Sequence, residues 1–253
     1  MADARFATCT NVEVLGPDTR AFSFTSDEAV GFTGGQYLIA DTGLVVANGK
    51  AVKRAYSFVS RDREQHRFVL ASQRLPEGPG SNFLHGLAAG DRLKWSGPWG
   101  KLAPRSPDPS RTSARTLVLA TDTGITAALG VVSGERFAPH LSATRFVWMR
   151  TDARDFLPDE WVRARLPLGL ALEIAPVPPP PHPERLAHVL SWLAGELVPG
   201  RLGAAFLTGD GAINYAILDR LVALGLPLTR DDVESFFNYP KKPAVTVTKA
   251  DIA

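Results

Sequence analysis

The 253-residue chain contains one cysteine, Cys9. A lone thiol cannot build an intramolecular disulfide framework, and it cannot hold an iron–sulfur cluster that needs four cysteines of the same chain. The five histidines, His66, His85, His140, His182 and His188, show no ligand spacing of the kind zinc needs, so no metal site is expected. No apolar run approaches the ~18 residues of a membrane span. The N-terminus, Met1-Ala2-Asp3-Ala4-Arg5-Phe6, has no apolar targeting core, and the expected compartment is the cytoplasm. The net charge is only +2 and no long run of lysine and arginine occurs, which argues against a nucleic-acid partner. There is no nucleophile elbow, and Ser57 has no base near it in sequence, so the pattern of a serine hydrolase is missing too.

The rest is an ordinary core-forming composition, 45% hydrophobic and 21% charged. Up to about Pro104 the pattern is of short apolar-alternating runs cut by Gly, Pro and Asp: Val12–Leu15, Arg20–Phe24, Gln36–Ala40, Arg67–Ala71 and Arg92–Trp95. Such runs predict a closed or sandwiched antiparallel sheet. Within it, Arg54-Ala55-Tyr56-Ser57-Phe58-Val59-Ser60 combines groups that suit a flat, phosphorylated ligand. Period-two geometry puts Arg54, Tyr56 and Phe58 on one side and Ala55, Ser57 and Val59 on the other. A guanidinium can fork onto a phosphate, a ring can cover a heterocycle, and a hydroxyl can bond a ring nitrogen. The same heptapeptide also reads as an ordinary edge strand. In Gly80-Ser81-Asn82-Phe83-Leu84-His85, Ser81 can cap a short helix whose free N–H groups face an anion, and a plain turn reads equally well.

A Pro-, Ser- and Arg-rich stretch from Ala103 to Ser113 marks the expected boundary between a domain at 1–110 and one at 111–253. Beyond it the rhythm becomes strand, glycine-containing turn, helix. Strands are expected at Thr116–Ala120, Arg145–Met149, Leu170–Ile174 and Ala204–Leu207, with helices at Ala127–Val132, Arg185–Leu197 and Ala212–Leu224. Alternation of this kind means an open parallel sheet, which binds ligands outside the carboxyl ends of its strands.

Taken in order, Arg54-x-Tyr56-Ser57, Gly80-Ser81-Asn82-Phe83-Leu84-His85, Gly97-Pro98-Trp99-Gly100, Thr123-Gly124-Ile125-Thr126, Gly209 and Glu234-Ser235-Phe236 resemble the ferredoxin–NADP reductase superfamily along nearly the whole chain. The resemblance implies a two-domain fold: an N-terminal antiparallel β-barrel holding FAD, then a Rossmann-like α/β domain for NAD(P)H. It implies that Arg54 binds a flavin phosphate, Tyr56 packs on the isoalloxazine, Ser57 sits near flavin N5 and Phe58 belongs to the same cofactor-binding strand. Gly80, Ser81 and Asn82 look like the pyrophosphate site, and Thr123 and Gly124 like the turn facing the nicotinamide nucleotide, with Thr126 beside flavin or nicotinamide. Gly209 matches a glycine after the last parallel strand, while Glu234 and Phe236 match an acid and an aromatic by the flavin ring. On this reading Ser57, Tyr56, Thr126 and Glu234 are the catalytic candidates, and hydride passes from nicotinamide to flavin.

The chain also departs from the family pattern. Thr121 and Asp122 stand where two glycines are usual, Ala127 where a proline is, and Thr208-Gly209-Asp210-Gly211 where a Cys-Gly-Pro-Pro element is. A carboxylate at Asp122 or Asp210 near a dinucleotide phosphate repels it unless paired. Arg150 and Arg154, after the second parallel strand, can pair with a 2′-phosphate and favour NADPH over NADH. FAD is expected over FMN, with Phe237 and Tyr239 as groups for stacking on adenine. The implied partner is a separate electron acceptor: a ferredoxin, a flavodoxin or an oxygenase component. The alternatives are a small acceptor, such as free flavin or a ferric chelate, and a non-catalytic flavin-carrying electron-transfer or assembly subunit with a degenerate nicotinamide site. The run Pro176–Pro183 reads as a stiff surface connection, in preference to a polyproline ligand for a partner.

Overall fold

A computed structural model of the chain describes residues 5–45, 49–105, 114–152 and 156–237. The apolar-alternating first part forms β1 (Arg5–Gly16), β2 (Thr19–Thr25), β3 (Tyr37–Val45), β4 (Ala51–Ser57), β5 (Arg67–Gln73) and β6 (Arg92–Trp99). They make one six-stranded antiparallel sheet in the order β4-β3-β6-β1-β2-β5. Alternate residues turn inward, so Phe22, Phe24, Leu38, Phe68, Leu70, Leu93 and Trp95 are almost wholly buried in a single core. Burying each ring contributes about 2 kcal/mol.

The sheet is barrel-like, but its ladder stays open between β4 and β5. Main-chain bonding between the two edges comes beyond the end of β4, where Val59 N donates to Val69 O (2.9 Å), and Ser60 Oγ accepts from Val69 N there (3.2 Å). The chain swerves there because Phe58 N bonds back to Gln36 O (3.1 Å) and its ring enters the core, stacked on Phe32 at 4.3 Å. The opening this leaves is flanked by Arg54–Ser57 on one side and Ala71–Gln73 on the other. Helix α1 (Pro79–His85) follows β5, and His85 Nε2 lies 3.1 Å from Ser72 O.

The second part forms a five-stranded parallel sheet in the order β11-β10-β7-β8-β9, from β7 (Arg115–Thr121), β8 (Thr144–Arg150), β9 (Leu172–Pro176), β10 (Leu202–Asp210) and β11 (Val233–Phe237). Leu117 to Ala120 of β7 are fully buried, the near-continuous apolar run of a strand covered on both faces. Alternate residues feed two cores. Val118, Ala120, Phe146 and Trp148 pack on α2 (Ile125–Ser133), with α3 (Asp159–Arg163) contributing to the same side. Leu117, Leu119, Val147 and Met149 pack on α4 (Arg185–Trp192) and α5 (Gly211–Ala223).

The structure has a strand the pattern did not predict: β11, where Glu and Ser interrupt the apolar signal of a five-residue edge strand. The helix expected over Arg185–Leu197 stops at Trp192, although Leu193 and Leu197 remain buried as the pattern predicts. The expected domain boundary near residue 110 falls in 106–113, outside the described residues.

Contacts between the two sheets fix the site. Gly130 of α2 lies so close to the first sheet that a side-chain carbon there would strike Phe58 O and Gly35 N. Buried Asp62 accepts from Gly34 N (2.9 Å) on one side and Glu135 N (3.0 Å) on the other. These contacts seat the C-terminal half of α2 on the first part of the molecule, while Thr126 of its first turn lies by the gap between β4 and β5.

Candidate active site

A cleft of about 560 Å³ runs from that gap to the carboxyl ends of the parallel strands. The first sheet contributes Arg54, Ala55, Tyr56 and Ser57, the turn before α1 contributes Gly78, α1 contributes Ser81, and the second part contributes Asp122, Thr123, Thr126, Arg150, Pro179, Phe236 and Phe237. Since β4 is an edge strand, it presents unpaired main-chain N–H and C=O groups towards the cleft.

On the flavin side, the Arg54 guanidinium bonds the carbonyl of neighbouring Lys53 (2.8 Å) and makes no ion pair among the described residues. It can therefore receive an anion. Gly80 packs on the Arg54 side chain so tightly that any side-chain carbon there would collide with it. Tyr56 donates to Gly80 O (3.1 Å), and burial pushes its phenol up to about 12, so it stays a neutral donor. Ser57 is buried at the cleft wall. Phe58 is not there: its ring lies in the core, so it can offer a ligand only main chain.

Helix α1 corrects a second expectation. It begins at Pro79 after Gly78, without a side-chain cap, and Ser81 is its third residue. The Ser81 hydroxyl accepts from Leu75 N (3.0 Å) and donates to Gly78 O (3.0 Å), so it braces the preceding loop. Asn82 does similar work, accepting from Arg74 Nε (2.9 Å) and donating to Pro76 O (3.0 Å). Gly80 and Asn82 thus shape the turn from behind, and Gly78 and Ser81 reach the cleft.

Glu234 stands beside the cleft rather than in its wall. It approaches Gly100 and raises the Tyr37 phenol, whose own burial is the larger cause. It has no hydrogen-bond partner among the described residues, and burial pushes its carboxyl up to about 7. Phe236 and Phe237 of the same strand line the cleft, and Tyr239 lies outside the described residues.

The nucleotide side is differently made. Thr123 and Thr126 face the cleft, with Thr126 Oγ1 donating to Thr123 O (3.0 Å). Gly124 and Gly209 do not: Gly124, in the turn after β7, packs back to back against Gly209 near the end of β10. Gly209 has φ +109, and a side-chain carbon there would strike Thr121, so only glycine fits. Arg150 is corrected as a ready phosphate partner. It is buried, its guanidinium is paired with Asp159 and bonded to Leu157 O (3.3 Å), and it stacks 4.4 Å from the Trp148 ring. Arg154 lies outside the described residues.

Sequence reasoning missed Arg185. Its guanidinium, 5% exposed, pairs with Asp122, bonds Asp210 through Nε (3.1 Å) and donates to Pro178 O. The departures Asp122 and Asp210 are thus tied together by one arginine from α4. Burial pushes the Asp122 carboxyl up against the opposing pull of Arg185, and Asp122 sits at φ +49. A signal was present in the sequence: a cation as the first residue of a helix opposes the helix dipole unless carboxylates offset it. The proline run also does more than connect, since Pro179 and Pro180 line the cleft.

Residues 7–103 match the family of oxidoreductase FAD-binding domains. A curated relative, ferredoxin–NADP reductase B of Sorangium cellulosum, is 35% identical over 147 residues, which are 56% of this chain and 55% of that protein. The match thus spans about half of the relative. A cytochrome P450 reductase of Amycolatopsis superposes with TM-score 0.65 at 22% identity, over 93% of this chain and 70% of that one. A ferredoxin–NADP+ reductase of Neisseria gonorrhoeae with bound FAD and NADP gives 0.65 at 17% identity, over 94% and 100%. The first part of the chain thus matches an oxidoreductase FAD-binding domain, and the chain as a whole shares the two-part fold of these reductases. The flavin side fits the group this family implies: an open edge strand, an unpaired guanidinium and a ring beside it. The nucleotide side offers no comparably free cation among the described residues.

Among the described residues no cluster of His, Cys, Asp and Glu could hold a metal, and no helix is long and apolar enough to cross a membrane.

Proposed function

We propose that the chain is a flavin-dependent reductase that moves electrons from NAD(P)H through FAD to a separate acceptor, a ferredoxin, flavodoxin or oxygenase component. Residues 1–110 would form the FAD domain and 111–253 the NAD(P) domain. The observation that carries this reading is the single cleft that opens the first sheet between β4 and β5 and ends at the carboxyl ends of the second. FAD, when bound, supplies the conversion between two-electron and one-electron transfer. Arg54 holds its phosphate, Tyr56 covers its ring, and Ser57 and Thr126 offer hydroxyls from opposite walls of the cleft. Phe236 and Phe237 exclude water from the same space. Glu234, with its carboxyl near 7, can hold or release a proton at neutral pH. The sequence holds one cysteine, so no four-cysteine cluster within it can take the electrons.

Anaerobic mixing of the FAD-loaded protein with NADPH and, separately, NADH tests the reading. Bleaching of the flavin band within seconds is expected, and a flavin that stays oxidised with both donors overturns it. With Arg150 already paired, the 2′-phosphate preference drawn from Arg150 and Arg154 has lost half its support, and comparing the two rates decides it. The pairing of Asp122 and Asp210 with Arg185 favours a second reading, a flavin-carrying electron-transfer subunit reduced by something other than a nicotinamide.

A further inference from the structure

We infer that Asp122 and Asp210 are negative determinants of dinucleotide affinity, two carboxylates that occupy the phosphate crevice of the parallel sheet and engage the arginine, Arg185, that would otherwise serve a phosphate there. This rests on the placement of the nucleotide domain proposed above and specifies how that domain treats its ligand.

In the order β11-β10-β7-β8-β9 the chain runs outward from β7 in one direction through β8 and β9, and in the other through β10 and β11. The crevice between the carboxyl ends of β7 and β10 is the switch point, where open α/β sheets take their ligands. A phosphate is usually received there by free main-chain N–H groups at a helix start and by a nearby cation. In this chain part of that donor set, and the cation, are engaged internally. Asp210 Oδ1 accepts from Ala212 N (3.0 Å) at the start of α5, and Asp210 N itself donates to Thr121 Oγ1 (2.7 Å). Thr208 Oγ1 bonds Leu119 O (3.2 Å), and the Gly124–Gly209 contact packs the turn after β7 against the end of β10. Arg185 uses Nε, NH1 and NH2 on Asp210, Pro178 O and Asp122 respectively.

The charges sum to an excess of one carboxylate over one guanidinium, at a place where a pyrophosphate needs the opposite. Asp122 is the member in the cleft wall, so it is the group an incoming phosphate meets first. Low local dielectric makes that repulsion larger than it would be in water.

Two isosteric variants separate charge from shape. Asparagine tolerates positive φ, so Asp122→Asn keeps the backbone of residue 122, and asparagine is as good a helix cap as aspartate, so Asp210→Asn keeps the start of α5. The measurement is calorimetric titration of the FAD-loaded full chain with NADP+ and with inorganic pyrophosphate, at low and high salt, alongside the rate of flavin reduction by NADPH. Either variant is expected to bind both probes about tenfold more tightly than the parent, with a steeper loss of affinity in salt. Affinities that are unchanged or weaker in both variants overturn the inference. The reductase reading fails separately: if no form is reduced by NADPH while Asp122→Asn gains affinity for pyrophosphate, the inference stands and the donor assignment falls. If the parent binds NADP+ tightly, is reduced rapidly and gains nothing from either variant, the reverse holds.

Discussion

The two walls of the cleft carry the same kinds of side chain in opposite states. On the flavin wall Arg54 is exposed and bonded only to its neighbour's carbonyl, on an edge strand whose main chain is unpaired. On the nucleotide side Arg150 in the wall and Arg185 behind it are both 5% exposed and both already answered by carboxylates. An arginine in a cleft is thus not by itself a ligand site. What separates the walls is whether the protein supplies the counter-charge, and four changes probe that difference.

The largest effect is expected on the closed wall. Arg185→Met leaves Asp122 and Asp210 buried without their cation, and breaking such a group costs about 3–5 kcal/mol. A melting temperature lower by roughly 6–15 °C should follow; a drop of under a degree would mean that the carboxylates do not depend on Arg185. Next, Arg54→Ala on the open wall should leave stability nearly unchanged and weaken FAD binding by about 30- to 100-fold, read by fluorescence titration. Equal flavin retention in parent and variant would remove Arg54 from the site.

Glu234 sharpens the contrast, as a buried acid with no partner. Its carboxyl is raised from 4.5 to about 7, so the folded state holds the proton more tightly than the unfolded one. Stability is then greatest below about 4.5 and declines as pH rises through about 7, by on the order of 2 kcal/mol after allowance for its partial exposure. Denaturant midpoints measured across that range should fall in the parent and flatten in Glu234→Gln. Asp122, raised in the same direction, adds a decline of the same sign, and His85, lowered by burial, opposes it. The smallest effect is Tyr56→Phe, which removes the bond to Gly80 O but keeps the ring. About 1 kcal/mol, or a few-fold in FAD affinity, is expected, and a complete loss of flavin would show that the hydroxyl does more than hold α1.

How much of this was legible follows from which forces are local. The strand runs of the first sheet and the continuous apolar run of β7 follow directly from hydrophobic period, and both parts of the fold are visible in it. Phe58 was misplaced because period two was carried one residue past Ser57, where the bond from Phe58 N to Gln36 O ends the alternation. Ser81 was read as a cap because local sequence allows it, whereas Pro79 had already started the helix. Arg54, Tyr56 and Ser57 do reach the cleft, but not by alternation: the free edge of β4 borders the opening, so consecutive residues 54–57 all line it. The Asp122–Arg185–Asp210 group was illegible as a unit. Its members are separated in sequence by 63 and 25 residues and are brought together only by sheet order.

The most direct measurement is a pair of titrations on one preparation: the flavin-free full chain with FAD, then the loaded protein with NADP+. The account predicts that FAD binds at least about 100-fold more tightly than NADP+, because one wall is open and the other supplies its own counter-charge. NADP+ binding as tightly as FAD, or a colourless protein that takes up no FAD, would contradict it.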